Sequence, residues 1–287
     1  MRAFAYERPT HLAAAIDLLA DQGSDARLLA GGTDLIIRLR DGSVRPRTVV
    51  DLKCIAELDG TIRDEGDGLT MGARTTMTAI AADARVLADF QALAEAAAVV
   101  GSAQIRNRAT LAGNICNASP AADTSPALLV FGAVVVVAGP DGSRRIPMDD
   151  FFVRSGVTTL APGELVTDVE LARPTVPRGS VHVRRTRRRG HDLASVTLAC
   201  AVMADGVTRL AYGSLGPRPL LVSDETGLLA DPAAPMEAKA ARLHALFVDA
   251  SPSPRSMRAS PEYRLAMLQV LGLRAVATAV GRLATGS

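Results

Sequence analysis

Two well-separated glycine-bearing segments most constrain how this chain can fold: Leu28-Leu29-Ala30-Gly31-Gly32-Thr33-Asp34-Leu35 and Ala109-Thr110-Leu111-Ala112-Gly113-Asn114-Ile115. The first follows an apolar run and opens another at helical spacing (Leu35, Ile36, Leu39), which predicts a strand turning into a helix at Gly31 and Gly32. At such a turn backbone N–H groups point outward and the helix end favours an anion. A side chain would hold a pyrophosphate off the backbone, and the turn often needs a positive φ, so glycine is selected twice over. Each segment reads as a phosphate cradle.

The rest of the composition narrows the class without naming a ligand. At 287 residues the chain can bury a substantial core as one large domain or a few small ones. Lys and Arg (32) nearly cancel Asp and Glu (30), so no global charge draws it to nucleic acid or membrane. The three cysteines, Cys54, Cys116 and Cys200, lack any paired spacing that would hold zinc or an iron–sulfur cluster, and fit a reducing compartment. Glu7, Arg8 and Pro9 interrupt what would be a signal peptide, and no apolar run reads as membrane-spanning, so a cytoplasmic location is expected.

Along the chain, Thr10 is expected to cap a helix bearing Leu12, Ile16 and Leu19 that ends near Gly23. Strands are expected at Arg27–Ala30 and Thr48–Leu52, giving a small strand–helix–strand unit. Leu69–Ala73 reads as a strand, Thr75 or Thr76 as a cap, and Phe90–Val100 as an Ala-rich helix. Ala127–Val137 reads as a short helix passing into a buried strand, and Leu165–Leu171 as a further strand. The connector from Arg173 to Gly179 marks a domain boundary. Beyond it come strands at Val181–Arg185 and Ala194–Met203, then helices at Met236–Val248 and Pro261–Leu283, the last capped by Ser260.

A double glycine alone is an ordinary tight turn. The second segment, however, lies between Gln104-Ile105-Arg106-Asn107 and Asn117-Ala118-Ser119-Pro120-Ala121-Ala122-Asp123, a stretch dense in hydrogen-bonding side chains and poor in packing ones. The run from Ile105 through Gly113-Asn114-Ile115 to Asp123 and Pro126-Ala127-Leu128, with Ala30 to Asp34, closely resembles the FAD-binding medium subunit of molybdenum hydroxylases, the xanthine dehydrogenase and carbon monoxide dehydrogenase relatives. The family's Gly-Ala-x-Thr-Thr is present as Gly72 to Thr76, and Ala259 to Arg264 resembles its closing helix, so the resemblance spans the chain.

The resemblance implies an α+β fold: a two-subdomain FAD-binding domain of the PCMH/VAO type over 1–175 (subdomains about 1–55 and 56–175), then a smaller C-terminal α+β domain over 179–285. The latter should be of the CO-dehydrogenase-flavoprotein type, with a three-stranded antiparallel sheet and helices. It implies that Leu28, Leu29, Ala30, Gly31, Gly32, Thr33, Asp34 and Leu35 line the pyrophosphate and ribityl chain, with Ala73 near the adenine–ribityl region. Thr110, Gly113 and Asn114 would add phosphate and ribityl contacts, and Asp123 would accept from a hydroxyl of FAD. Leu165 and Val166 match apolar positions near the adenine or ring, and Arg184 stands where relatives carry a lysine that reaches the isoalloxazine. Cys116 and Ala122 lie in the same flavin loop, the Cys116 thiol as a small packing residue. At Val100 and Gly101 the chain lacks the aromatic that xanthine dehydrogenases place against the ring; Tyr212 is a candidate shield, equally readable as a core residue.

The basic run Arg184-Arg185-Thr186-Arg187-Arg188-Arg189 would put alternate side chains on opposite strand faces without stacking aromatics, which favours a subunit contact or a clamp for FAD phosphates or NAD over nucleic acid. His191 beside Asp192 has no nucleophile motif and reads as a surface turn.

Functionally, the resemblance implies an electron-transfer subunit. A large molybdopterin subunit would oxidise the substrate, two [2Fe-2S] clusters on a small subunit would relay electrons, and FAD here would pass them to NAD+, oxygen or another acceptor. The assembly would be a dimer of heterotrimers, without nucleic acid or membrane insertion. Carbon monoxide dehydrogenases carry His-Ser after the first double glycine and Gly-Gly-Asp in the second segment; Thr33-Asp34 and Gly113-Asn114 point instead to a purine, N-heterocycle or aldehyde. The cysteine-rich loop of the hydroxybenzoyl-CoA reductase branch is missing from the sequence. The rival reading is a stand-alone VAO-type flavin oxidoreductase, for which the C-terminal part is short and lacks a His/Tyr cluster; a flavin-storage protein is a third.

Overall fold

A computed structural model describes residues 2–188, 190 and 192–286. Arg189 and His191, part of the basic run and of the His–Asp pair, lie outside the described residues.

The first unit is β1 (Ala5–Glu7), α1 (Leu12–Gln22), β2 (Ala26–Leu29), α2 (Leu35–Asp41) and β3 (Thr48–Asp51). Its parallel sheet has the order β1-β3-β2, so the expected strand–helix–strand unit gains an edge strand too short to show a pattern. His11, not Thr10, stands at the N-cap of α1, and it makes no capping hydrogen bond; Gly23 closes the helix at φ +50.

The second unit runs through β4 (Ile62–Asp64), β5 (Gly68–Gly72), the helices α3 (Met77–Ala82), α4 (Ala84–Asp89), α5 (Gln91–Ala98), α6 (Ala103–Arg106), α7 (Leu111–Cys116) and α8 (Thr124–Val130), then β6 (Val134–Gly139) and β7 (Gly142–Pro147). After α9 (Met148–Phe151) and the hairpin β8 (Phe152–Arg154) and β9 (Val157–Thr158), β10 (Leu165–Ala172) returns to the centre of an antiparallel sheet ordered β4-β5-β10-β6-β7. Thr76 caps α3 by accepting from the Ala79 N–H. The second glycine segment thus sits in a helical excursion between two strands of one sheet.

The third unit is β11 (Arg178–Arg185), β12 (Val196–Met203), β13 (Thr208–Gly213), β14 (Leu220–Asp224), α10 (Met236–Leu246) and α11 (Pro261–Thr285). Its antiparallel sheet has four strands, β11-β12-β13-β14, not the expected three. Arg209 interrupts the apolar pattern of β13, and Pro217 and Pro219 make the approach to β14 read as loop.

The sheet of this unit works on both faces. Along β12, Leu198, Cys200 and Val202 join the C-terminal core with Leu268, Ala275 and Ala279 of α11. The alternating Ala199 and Ala201, with Ala211 of β13, join the larger N-terminal core. Alanine on that face lets helices approach closely, and α5 is fastened there: the Ala92 N–H donates to Ser180 Oγ (3.2 Å) and the His182 N–H to Glu95 Oε2 (2.9 Å). The Arg178 guanidinium lies 4.8 and 4.4 Å from the ring centres of Phe90 and Phe131.

Contrary to the sequence expectation, α11 is long and apolar enough to cross a membrane by length and composition, with a hydropathy of 1.3. Its buried stripe of Leu268, Leu271, Ala275, Val276 and Ala279 at helical spacing is nonetheless spent on the C-terminal core, with Arg264 buried at the same helix's start and donating to the Ser214 carbonyl (2.8 Å).

Candidate cofactor site

The two glycine segments meet. Gly31 lies so close to the second segment that a Cβ there would collide with the Arg108 carbonyl, and one on Gly113 would stand 4.0 Å from Ala30 Cβ and 2.9 Å from Thr110 Oγ1. Gly32 adopts φ +78, the left-handed turn that glycine reaches without strain. Arg38 of α2 donates to Asn117 Oδ1 (2.6 Å), fastening the first segment to the loop after the second.

Donors remain at this junction. Among the described residues, the N–H groups of Gly31, Gly32, Thr33 and Asp34, and those of Thr110 and Ala112, have no hydrogen-bond acceptor. The Met77 N–H donates to the Ala109 carbonyl (2.9 Å) and the Leu111 N–H to the Thr75 carbonyl (3.0 Å) on either side of an isolated bridge between Thr76 and Thr110, which turns the N–H groups of those two threonines away from one another. Thr110 also caps α7 through the Gly113 N–H (3.1 Å). The two helices are short, seven residues for α2 and six for α7, so the anion character of the junction comes from these bare N–H groups more than from helix dipoles.

A cleft of about 110 Å³ opens here, lined by Ala30, Gly31, Thr76, Asn107 and Thr110 and by three cations, Lys53, Arg74 and Arg108. None of the three was anticipated as a site residue. They come from the turn after β3, the turn after β5 and the loop before α7, so only the tertiary fold makes them neighbours. Lys53 is shared with Asp51, whose carboxyl feels burial pushing it up but is held below the usual range by the Lys53 and Tyr6 hydrogen bonds.

Asp123, Arg184, Val100 and Gly101 form a second neighbourhood. Arg184 donates to Asp123 Oδ2 (2.5 Å) and to the Val99 carbonyl (3.2 Å). Asp123 is 7% exposed, and its Oδ1 has no hydrogen-bond donor among the described residues; His182 Nε2, 3.5 Å away, is hydrogen-bonded to Thr197 Oγ1 instead. A buried carboxylate oxygen without a donor is costly unless something donates to it. His182, not foreseen, reaches this point through the register of β11 on β12, which pairs His182 with Ala199 and Arg184 with Thr197. The Thr124 hydroxyl donates to Asn114 Oδ1 (2.6 Å) and ties this neighbourhood to the cradle.

The remaining expected residues are placed as follows. Leu28 and Leu29 end β2, Leu35 opens α2, and Ala122 is buried beside Asp123. Ala73 is buried, its N–H bonded to the Thr167 carbonyl (2.8 Å), which sets it beside Leu165 and Val166; all three pack into the N-terminal core. Cys116 is exposed as a residue, but burial pushes its thiol up to about 12, which keeps the sulfur an unreactive thiol as expected. Tyr212 is not a ring shield: it lies in the C-terminal core, edge-on to Phe247 at 5.3 Å, where burial pushes its hydroxyl up to about 12.

The junction suits a diphosphate-bearing group. Bare N–H groups and three cations line a cleft suited to an anion, glycine leaves the backbone open, and Asp123 Oδ1 is a free acceptor for a hydroxyl.

A family model described as the FAD binding domain in molybdopterin dehydrogenase matches residues 2–174, and one described as the CO dehydrogenase flavoprotein C-terminal domain matches residues 181–279. The chain is 32% identical over 283 residues to the xanthine dehydrogenase FAD-binding subunit of Escherichia coli O157:H7, covering 96% of each. It is 29% identical over 283 residues to the carbon monoxide dehydrogenase medium chain of Afipia carboxidovorans, covering 97% of each. Among solved structures, carbon monoxide dehydrogenase from Hydrogenophaga pseudoflava lacking the Mo-pyranopterin moiety of the molybdenum cofactor matches with a TM-score of 0.90 at 29% identity, covering 98% of both chains.

Proposed function

The chain belongs to the FAD-binding subunits of the xanthine and carbon monoxide dehydrogenase family of molybdenum hydroxylases, and from that premise we propose that it carries FAD across the junction of its two glycine segments and serves as the electron outlet of a three-subunit enzyme. The observation that carries the reading is the convergence of Gly31 and Thr110, one from each glycine segment, on one cationic cleft with unused backbone donors.

In this reading the N–H groups of Gly31 to Asp34, Thr110 and Ala112 hold the diphosphate, with Lys53, Arg74 and Arg108 supplying charge. Leu28, Leu29, Leu35 and Ala73, with Leu165 and Val166, form the apolar surround, while Asn114 and Asp123 Oδ1 take hydroxyls. Arg184 fixes Asp123 and brings a positive charge beside Ala122 and the Val99–Gly101 turn. FAD, when bound, supplies a carrier that accepts electrons singly and releases them in pairs. Residues 1–175 form the cofactor domain and 179–285 the C-terminal domain; β10 ends at Ala172 and β11 opens a different sheet at Arg178, which supports the division.

The partners are a large molybdopterin subunit and a small subunit with two [2Fe-2S] clusters, in a dimer of heterotrimers in the cytoplasm. Electrons leave to NAD+, oxygen or another acceptor. Thr33-Asp34 and Gly113-Asn114 favour a purine, N-heterocycle or aldehyde as the substrate of the large subunit.

Native purification tests the assignment. Co-elution of the chain with molybdenum, iron and flavin is expected; a yellow monomer that oxidises an alcohol unaided would replace it with the stand-alone oxidoreductase.

A further inference from the structure

A second cationic cavity, of about 350 Å³, lies at the N-terminal end of α11 and is lined by Arg185, Arg187, Arg258, Ser195, Ser260 and Tyr263. Strand alternation separates it from the flavin side: Arg184 points to Asp123, while Arg185, the next residue of β11, points the other way and donates through Nε to Tyr263 Oη (2.8 Å). Being an acceptor there, the Tyr263 hydroxyl keeps its own proton to donate.

Neighbouring carboxylates neutralise only part of the charge in this cavity. Arg187 is shared with Asp192 (3.3 Å). Arg185 and Arg258 have no carboxylate partner among the described residues. The nearby carboxylates are engaged: Asp192 accepts from the Arg187 and Leu193 N–H groups, and Glu262 takes the Ser260 hydroxyl. Ser195, 1% exposed, also lines the cavity. The 25-residue α11 adds the partial positive charge of its first turn.

We propose that this cavity is an anion site that takes the phosphate or diphosphate group of a small phosphorylated ligand. Two guanidinium groups without a carboxylate partner among the described residues match the forked geometry of phosphate oxygens, and Ser195 and Tyr263 line the same cavity from separate parts of the chain. A phosphate offers several acceptor oxygens to such a set of donors. The volume, at the lower end of small-molecule pockets, leaves room for an organic portion beside the anion. The site lies apart from the FAD cradle and stands whether or not the flavin reading does.

Titration of the purified, FAD-loaded complex with inorganic pyrophosphate, followed by calorimetry, tests it. Saturable binding is expected, weakened at least about tenfold in Arg185→Gln/Arg258→Gln, with Ser195→Ala causing a smaller loss. The flavin content of each sample, read from its absorption, should stay at the wild-type level, since none of these residues lines the cradle. Absence of saturable binding to the wild type, or affinity unchanged in the double variant, overturns the proposal. A colourless wild type that still binds pyrophosphate through these arginines would instead overturn the flavin reading and leave this site standing.

Discussion

Arg184 and Asp123 show how single residues hold the site together. Both are largely buried, so the ion pair is screened little, and removing one partner strands the other in a medium that cannot solvate it. Arg184→Met is expected to destabilise the chain by about 3–5 kcal/mol in urea denaturation. Adding Asp123→Asn should restore part of that loss, because the stranded charge is gone; strictly additive losses would show that the two are not coupled. At this scale the sequence was legible where chemistry is local. Gly31, Gly32, Thr110 and Gly113 announce themselves through neighbours in the chain. The partners of Asp123 do not: His182 reaches it only through the register of β11 on β12, and Lys53, Arg74 and Arg108 converge from three separate turns.

Elements tell the same story at longer range. Strands with clear apolar patterns, such as β3, β6, β10 and β12, could be read directly, whereas β13 and β14 could not, because arginine and prolines mask them. The fourth strand matters, since its last residue anchors α10. Asp224 is fully buried and accepts from Thr226, from the Leu229 N–H (3.1 Å) and from Arg242 Nε of α10 (2.8 Å). Burial pushes its carboxyl up, but these donors outweigh it and hold it below the ordinary range. A carboxyl with a depressed folded-state pKa contributes stability that is fully present above its unfolded value, about 4, and is lost as pH falls through the folded value. Asp224→Ala should therefore lower stability by about 3 kcal/mol at neutral pH and flatten the decline of stability below pH ~4, as a pH series of urea titrations would record. An equally steep acid decline in the variant would place the titrating group elsewhere.

On the scale of the whole molecule, the four-stranded sheet is shared property. One face of β12 belongs to the core under α11 and the other to the core that carries the cradle, with α5 bound across the boundary by Ser180, Glu95 and Arg282. The cradle is thus built from two chain segments whose approach depends on the packing of the N-terminal unit against the helical excursion of the second. The central claim is that FAD occupies their junction, and Gly31 is the position that most directly controls their spacing, because any side chain there meets the Arg108 backbone. Flavin absorption per chain, measured on the purified complex for wild type and Gly31→Ala with circular dichroism as a check on folding, tests it. The account predicts stoichiometric FAD in the wild type and a folded variant that has lost most of it; a colourless wild type, or a Gly31→Ala protein as yellow as its parent, would contradict it.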